Sequence, residues 1–136
     1  MYWNLIAVKA FSHQIDCFCP GEIHREVLRI EQSDIIKVTN ERNFTATNGW
    51  YVMVILDDRY RFYMALHDLE HYYEIGEILL KEDIDLQLNY YDFQVNQALD
   101  KKDEVMFNYF SEQLIKMNKL KWKLDGYLEA DELFYI

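Results

Sequence analysis

At 136 residues, with 51% hydrophobic and 16% aromatic content, one proline and four glycines, the chain can bury about two-thirds of its unfolded surface, which excludes a disordered or disulfide-stapled scaffold. The formal net charge of −10 disfavours direct binding to nucleic-acid phosphates or to anionic membrane surfaces. Residues 1–68 hold seven Lys/Arg against nine Asp/Glu, or −2, and residues 69–136 hold seven against fifteen, or −8, so a basic protein partner suits the second half.

The opening MYWNLIAVKAF lacks a basic leader and a small-residue cleavage site, and its apolar run is too short to cross a bilayer, so a cytoplasmic chain is expected. Trp3 to Phe11 reads as a strand. Ser12 to Glu22, with Cys19-Pro20-Gly21, reads as a loop, because proline and glycine interrupt a ladder. Glu26 to Glu31 and Ile35 to Thr39 are strands about a Gln32-Ser33-Asp34 turn. Phe44 to Thr47 is a short strand before an Asn48-Gly49 turn. Trp50 to Leu56, Asp57-Asp58, then Arg59 to Leu66 with Tyr60, Phe62, Met64 and Leu66 alternating, predict a β-hairpin.

The period changes at Asp68, which fits a helix N-cap, and helical spacing continues to about Lys81. A second helix follows Glu82-Asp83 through Leu86, Tyr90, Phe93, Val95 and Ala98 to Leu99. A third follows Asp103 through Met106, Phe107, Phe110, Leu114, Met117, Leu120 and Leu124, with lysines gathered near its end and Gly126 as its stop. The tail YLEADELFYI either folds back on the core or is offered to a partner. The expected fold is α+β: a small curled antiparallel sheet of about four to six strands in residues 1–67, then three C-terminal helices in 68–136, as one cooperative unit.

Two groupings invite metal chemistry. His67-Asp68-Leu69-Glu70-His71 matches the inverted zinc-peptidase pattern, so a small zinc hydrolase is a remote alternative; placing Asp68 at the cap leaves His67 outside the helix and favours two surface histidines. His13, Cys17, Cys19 and His24 supply four soft ligands, but cysteines one residue apart chelate poorly compared with two to four intervening residues, and buried small side chains are the simpler reading. Four glycines leave little for a phosphate-cradling loop. No catalytic residue, cofactor or metal is therefore assigned, and a non-enzymatic protein is expected.

The adjacent pairs Tyr72/Tyr73, Tyr90/Tyr91 and Tyr109/Phe110 point about 100° apart on a helix, so one of each pair looks outward. Aromatic rings beside acids suit a protein interface, and Tyr72, Tyr91, Asp92, Asp100, Glu104, Tyr109 and Glu112 are the candidate partner-binding residues. Pairing of two copies across a twofold axis competes with a foreign partner.

In VNQALDKKDEVMFNYFSEQL, Val95, Ala98-Leu99-Asp100, Asp103, Phe107 and Leu114, with Tyr109 and Ser111-Glu112, resemble the IDEAL-domain family over residues 90–120. Val95-Asn96-Gln97-Ala98-Leu99 stands where the family has Ile-Asp-Glu-Ala-Leu, keeping the apolar positions and turning the acids to amides. The resemblance implies a bacterial, intracellular, regulatory and non-catalytic module of Firmicutes, with relatives linked to Clp-dependent proteolysis as accessory factors. Taken with the composition, it points to an adaptor or inhibitor-like protein of a Gram-positive bacterium or its phage. The alternative is an acidic mimic that blocks a nucleic-acid-binding protein.

Overall fold

The computed structural model describes residues 3–16 and 25–134. The fold is α+β and divides into two compact units, Met1–Leu80 and Lys81–Ile136. In the first, β1 (Trp3–Ala7), β4 (Ile35–Thr45), β5 (Gly49–Leu56), β6 (Tyr60–Ala65) and β7 (Ile78–Leu79) form an antiparallel sheet in the order β6-β5-β4-β1-β7. A second, two-stranded sheet pairs β2 (Phe11–Asp16) with β3 (Arg25–Ile30), and α1 (Leu66–Glu74) follows β6.

Period-two alternation builds the core. Leu5 and Ala7 of β1, Ile36 and Val38 of β4, Val52, Val54 and Leu56 of β5, and Phe62 and Met64 of β6 join Phe11, Ile30, Leu69 and Ile78 in one buried cluster. Each large aliphatic side chain so buried contributes about 1.5–3 kcal/mol. The β5–β6 hairpin turns on Asp57 and Asp58, both in the left-handed region at φ 48 and 58. Asp57 is held there because its Oδ1 accepts the Ile35 N–H at 2.8 Å and its own N–H donates to the Ile35 carbonyl at 2.9 Å.

Several expectations change. Ser12–Asp16 is strand rather than loop: His13 alternates inward with Phe11 while Ser12 and Gln14 face out, a period disguised by polar residue types. Residues 35–45 make one strand, because the polar stretch after Val38 is absorbed as a bulge before pairing resumes at Arg42↔Val52. The first helix starts at Leu66, so Asp68 lies in its first turn and is not the cap. It ends early at Gly76, at φ +77, where Gly76 N–H donates to Tyr73 O and Glu77 N–H to Tyr72 O, the paired bonds of a Schellman motif.

The second unit is a hairpin of two helices, α2 (Lys81–Asp100) and α3 (Glu104–Phe134). Ile84, Leu88, Tyr91, Val95 and Ala98 recur at four- and three-residue steps as the covered stripe of α2. Phe107, Phe110, Leu114, Met117 and Leu124 make the matching stripe of α3, the average 3.5-residue repeat of a coiled-coil seam. Ion pairs Lys121–Asp85 (3.1 Å) and Lys81–Asp125 (3.2 Å) set the antiparallel register far from the turn.

At the turn, Lys102 N–H donates to Leu99 O and Asp103 N–H to Ala98 O. Asp103 then caps α3, its Oδ1 accepting the Met106 N–H at 3.2 Å, as its position after the charged break predicts. Gly126 does not stop α3; one glycine costs about 1 kcal/mol in a helix interior, and Leu, Glu and Ala after it sustain the helix. The tail through Phe134 therefore continues α3. The lysines from Lys116 to Lys123 lie in mid-helix, where Lys121 serves the seam by pairing with Asp85 instead of complementing a helix end.

Candidate partner interface

Each aromatic pair sends one ring inward. On α1 that ring is Tyr72, whose hydroxyl shares a 2.7 Å hydrogen bond with His13 Nδ1 and whose ring lies 4.7 Å from that of Phe11. Burial, reinforced by the nearby charges of Asp68 and Glu77, pushes the Tyr72 hydroxyl up to about 12. His13 is only 2% exposed, and burial lowers its pKa against the opposing pull of Asp68 and Asp16. Close by, the Tyr51 hydroxyl donates to Asp16 Oδ2 at 2.9 Å. Tyr72 is thus a packing residue of the sheet unit, which corrects its selection as a partner contact; Tyr73 is its outward neighbour.

On the helical hairpin the inward rings are Tyr91 and Phe110, with centroids 6.2 Å apart. Tyr91 is half-buried, and its hydroxyl pKa is raised by burial and then by Tyr109 and Tyr90. Tyr90 and Tyr109 lie against the same Phe110 ring, at 6.2 and 5.1 Å, yet each remains 53% exposed. The four rings form one cluster bridging α2 and α3, with inner members packing the seam and outer members facing solvent.

The remaining candidates separate by position. Asp100 and Glu104 flank the helix turn and are exposed; Glu104 lines a hollow of about 280 Å³ there with Ala98, Leu99 and Phe107. Asp92 and Glu112 are exposed on the helices beside the ring cluster. Tyr91, Tyr109 and the turn acids therefore belong to the same half of the hairpin, and Tyr72 belongs to the other unit.

The sequence reading missed a second stripe. Leu86, Tyr90 and Phe93, four and three residues apart on α2, are 68%, 53% and 57% exposed. Their spacing marks the second helix in the sequence, but the longer run from Ile84 to Ala98 occupies the seam, and its greater length is the signal that ranks the two. Leu99, where the predicted run of the second helix ends, is exposed as well.

Redrawing the chain at its unit boundary also redistributes the charge. Residues 1–80 hold seven Lys/Arg against twelve Asp/Glu, and residues 81–136 hold the same numbers, so each carries −5. Glu70, Glu74 and Glu77, which made the second half look more acidic, belong to the sheet unit.

Two further features lie in the sheet unit. His67 and His71 both fall within α1, contrary to the expectation that His67 precedes it, and both are exposed. Among the described residues no three His, Cys, Asp or Glu side chains come together as a metal site; Cys17, Cys19 and His24 lie outside the described residues. A cleft of about 280 Å³ opens between α1 and the sheet, lined mainly by Trp3, Leu5, Leu66, Leu69 and Tyr73 with Arg42 and Glu70 as its charged residues. Among the described residues, no helix is long and apolar enough to cross a membrane.

Comparison of the chain with protein-family models, curated proteins and solved structures returns no match.

Proposed function

We propose that this chain is a non-enzymatic, cytoplasmic interaction protein of a Gram-positive bacterium or its phage, an adaptor or inhibitor that binds another protein through the exposed apolar stripe of α2 and the aromatic rings that adjoin it on its helical hairpin. The supporting observation is the solvent-facing stripe of Leu86, Tyr90 and Phe93, continued onto α3 by Tyr109 through the shared Phe110 ring. A hairpin of two helices has one seam, and a second apolar stripe on the same helix has work to do only against another surface. Tyrosine and phenylalanine suit such work, since they bring large apolar area with few rotatable bonds.

The IDEAL-like residues support the reading from the sequence side, since they fall on the same hairpin and the family is regulatory. An acidic mimic of nucleic acid retains only the overall charge in its favour, because the hairpin is no more acidic than the sheet unit.

A photo-crosslinking residue at position 93, tested in lysate of a Gram-positive bacterium, checks the reading. One at position 119, exposed on α3 away from the stripe, is the control. Discrete adducts at 93 and not at 119 are expected. Equal, diffuse labelling from both positions sinks it.

A further inference from the structure

The cleft between α1 and the sheet takes one wall from each. Leu66, Leu69, Glu70 and Tyr73 stand at positions i, i+3, i+4 and i+7, so they share one side of α1. Across from them, Trp3 and Leu5 are alternate residues of β1 on the face that carries the core.

Arg42 reaches that face through an irregularity in β4. Val38 opposes Val54, and regular pairing from there would set Asn40 opposite the core residue Val52. Instead β4 spends four steps from Val38 to Arg42 where β5 spends two from Val54 to Val52, and Arg42 takes the place opposite Val52. The detour is pinned by Thr39, whose Oγ1 donates to the Met53 carbonyl at 2.9 Å and accepts the Glu41 N–H at 3.3 Å. Bulges re-aim side chains in this way and are over-represented beside active sites.

The result is an apolar hollow of about 280 Å³ with one cation and one anion. Among the described residues Arg42 and Glu70 are the charged groups lining it, and neither side chain is engaged in an ion pair. They share a cleft without neutralising each other. Trp3, in the wall, remains 59% exposed, so much of a large apolar ring is still uncovered.

We propose that this cleft binds a free α-amino acid with an apolar side chain, its carboxylate on Arg42, its ammonium facing Glu70, and its side chain against Trp3 and the leucines. Size and charge select this ligand. The hollow lies at the small end of the range of about 300–1,000 Å³ usual for ligand pockets, which suits a molecule of amino-acid size. A purely apolar ligand would cover both charges and answer neither, and a simple acid or amine answers one while meeting repulsion from the other. A zwitterion on an apolar body answers both, and the guanidinium fork matches a carboxylate. A residue inside a peptide lacks these charges and a chain end has only one of them, so the amino acid is free. The site lies in the sheet unit and goes beyond the interaction reading, which concerns the hairpin.

Isothermal titration calorimetry of the full chain with L-phenylalanine, 3-phenylpropionate and 2-phenylethylamine tests the proposal, because the three share a phenyl group and differ in the charges they carry. L-leucine serves as the aliphatic counterpart. L-phenylalanine should bind at least about fivefold more tightly than either singly charged analogue, with the margin shrinking as salt rises. Arg42→Gln should remove its advantage over phenylethylamine, and Glu70→Gln its advantage over phenylpropionate. Urea midpoints of both variants should stay unchanged, since both side chains are exposed and outside any ion pair among the described residues.

An analogue that binds as tightly as L-phenylalanine overturns the zwitterion. Unchanged affinity for L-phenylalanine in both variants puts its site elsewhere and overturns the assignment to this cleft. No saturable heat from L-phenylalanine or L-leucine up to about 10 mM overturns the proposal outright. Crosslinking at position 93 reads a different unit, so the interaction reading stands or falls separately.

Discussion

The sheet unit, Met1–Leu80, and the helical hairpin, Lys81–Ile136, carry the same net charge and treat their apolar side chains in opposite ways. Among the described residues the sheet unit buries seventeen hydrophobic side chains and exposes seven large ones; the hairpin buries five and exposes nine. The difference follows from architecture. Strands related by hydrogen bonds bring their alternate residues to a common face, and α1 and the β2–β3 pair add side chains to the same cluster. Two helices offer each other one stripe apiece, so any further apolar stripe must look elsewhere. Stability is thus concentrated in the sheet unit's core, and the surface available for recognition in the hairpin.

The largest effect should come from a cavity in the sheet core. Ile36→Ala removes a side chain that is 1% exposed amid Leu5, Val54 and Leu56, and should cost about 2–5 kcal/mol in urea unfolding. A cost below about 1 kcal/mol would mean that the sheet closes over the gap, and the contrast with the hairpin would weaken.

The buried His13–Tyr72 pair adds a pH dependence to the same core. Burial holds the His13 pKa below its ordinary 6.5, so the unfolded chain binds this proton more readily than the folded one. Stability from this group is fully present above pH 6.5 and falls as pH drops below 6.5 toward the lower folded value. Urea midpoints between about pH 7.5 and about pH 5.5 should therefore decline more steeply in the unmodified chain than in His13→Gln. Parallel slopes would place the sensitivity on other groups.

In the hairpin the corresponding control is a cap. Asp103→Ala removes the acceptor for the Met106 N–H at the start of α3 and should cost about 1 kcal/mol. That is well short of the core substitution. A larger loss would make the turn, and not the seam, the centre of the hairpin's stability.

How much of this was legible depended on whether a pattern had a competitor. The β5–β6 hairpin could be read because alternation and two turn-forming aspartates agree. Asp103 could be read as a cap because it stands between two helical periods. β2 was hidden because its inward residue is His13, made tolerable in the interior by the Tyr72 hydroxyl, a partner 59 residues away. On α2 two apolar stripes compete, and a helical run traced through Leu86, Tyr90 and Phe93 does not show that Ile84, Leu88 and Tyr91 take the seam, which conceals the most exposed part of the candidate interface. Of the selected tyrosines Tyr109 is the outward ring of its pair, whereas Tyr72 and Tyr91 are the inward ones beside the exposed Tyr73 and Tyr90, since adjacency in sequence says that one ring points in without saying which.

The smallest effect compares one motif across the two units. α1 and α2 both end with a residue in the left-handed region, donating to the carbonyl three residues back while the next N–H donates to that five back. The residue is Gly76 at φ +77 in the first case and Lys102 at φ 55 in the second. Glycine adopts this conformation freely, and a side chain there carries a penalty of about 1 kcal/mol. Gly76 has nothing within 4 Å of an added Cβ, so Gly76→Ala isolates the backbone penalty from any clash and should destabilise by about 1 kcal/mol. Lys102→Gly should do the reverse but by less, about 0.5 kcal/mol, because glycine also gains freedom in the unfolded chain and a cation near the carbonyl end of α2 is lost. Urea midpoints moving in opposite directions would show that both turns are governed by the same backbone geometry. A loss of stability in Lys102→Gly would mean instead that the lysine side chain holds the hairpin turn, and Lys102, which lines the hollow beside Glu104, would then join the residues that shape the turn-proximal face.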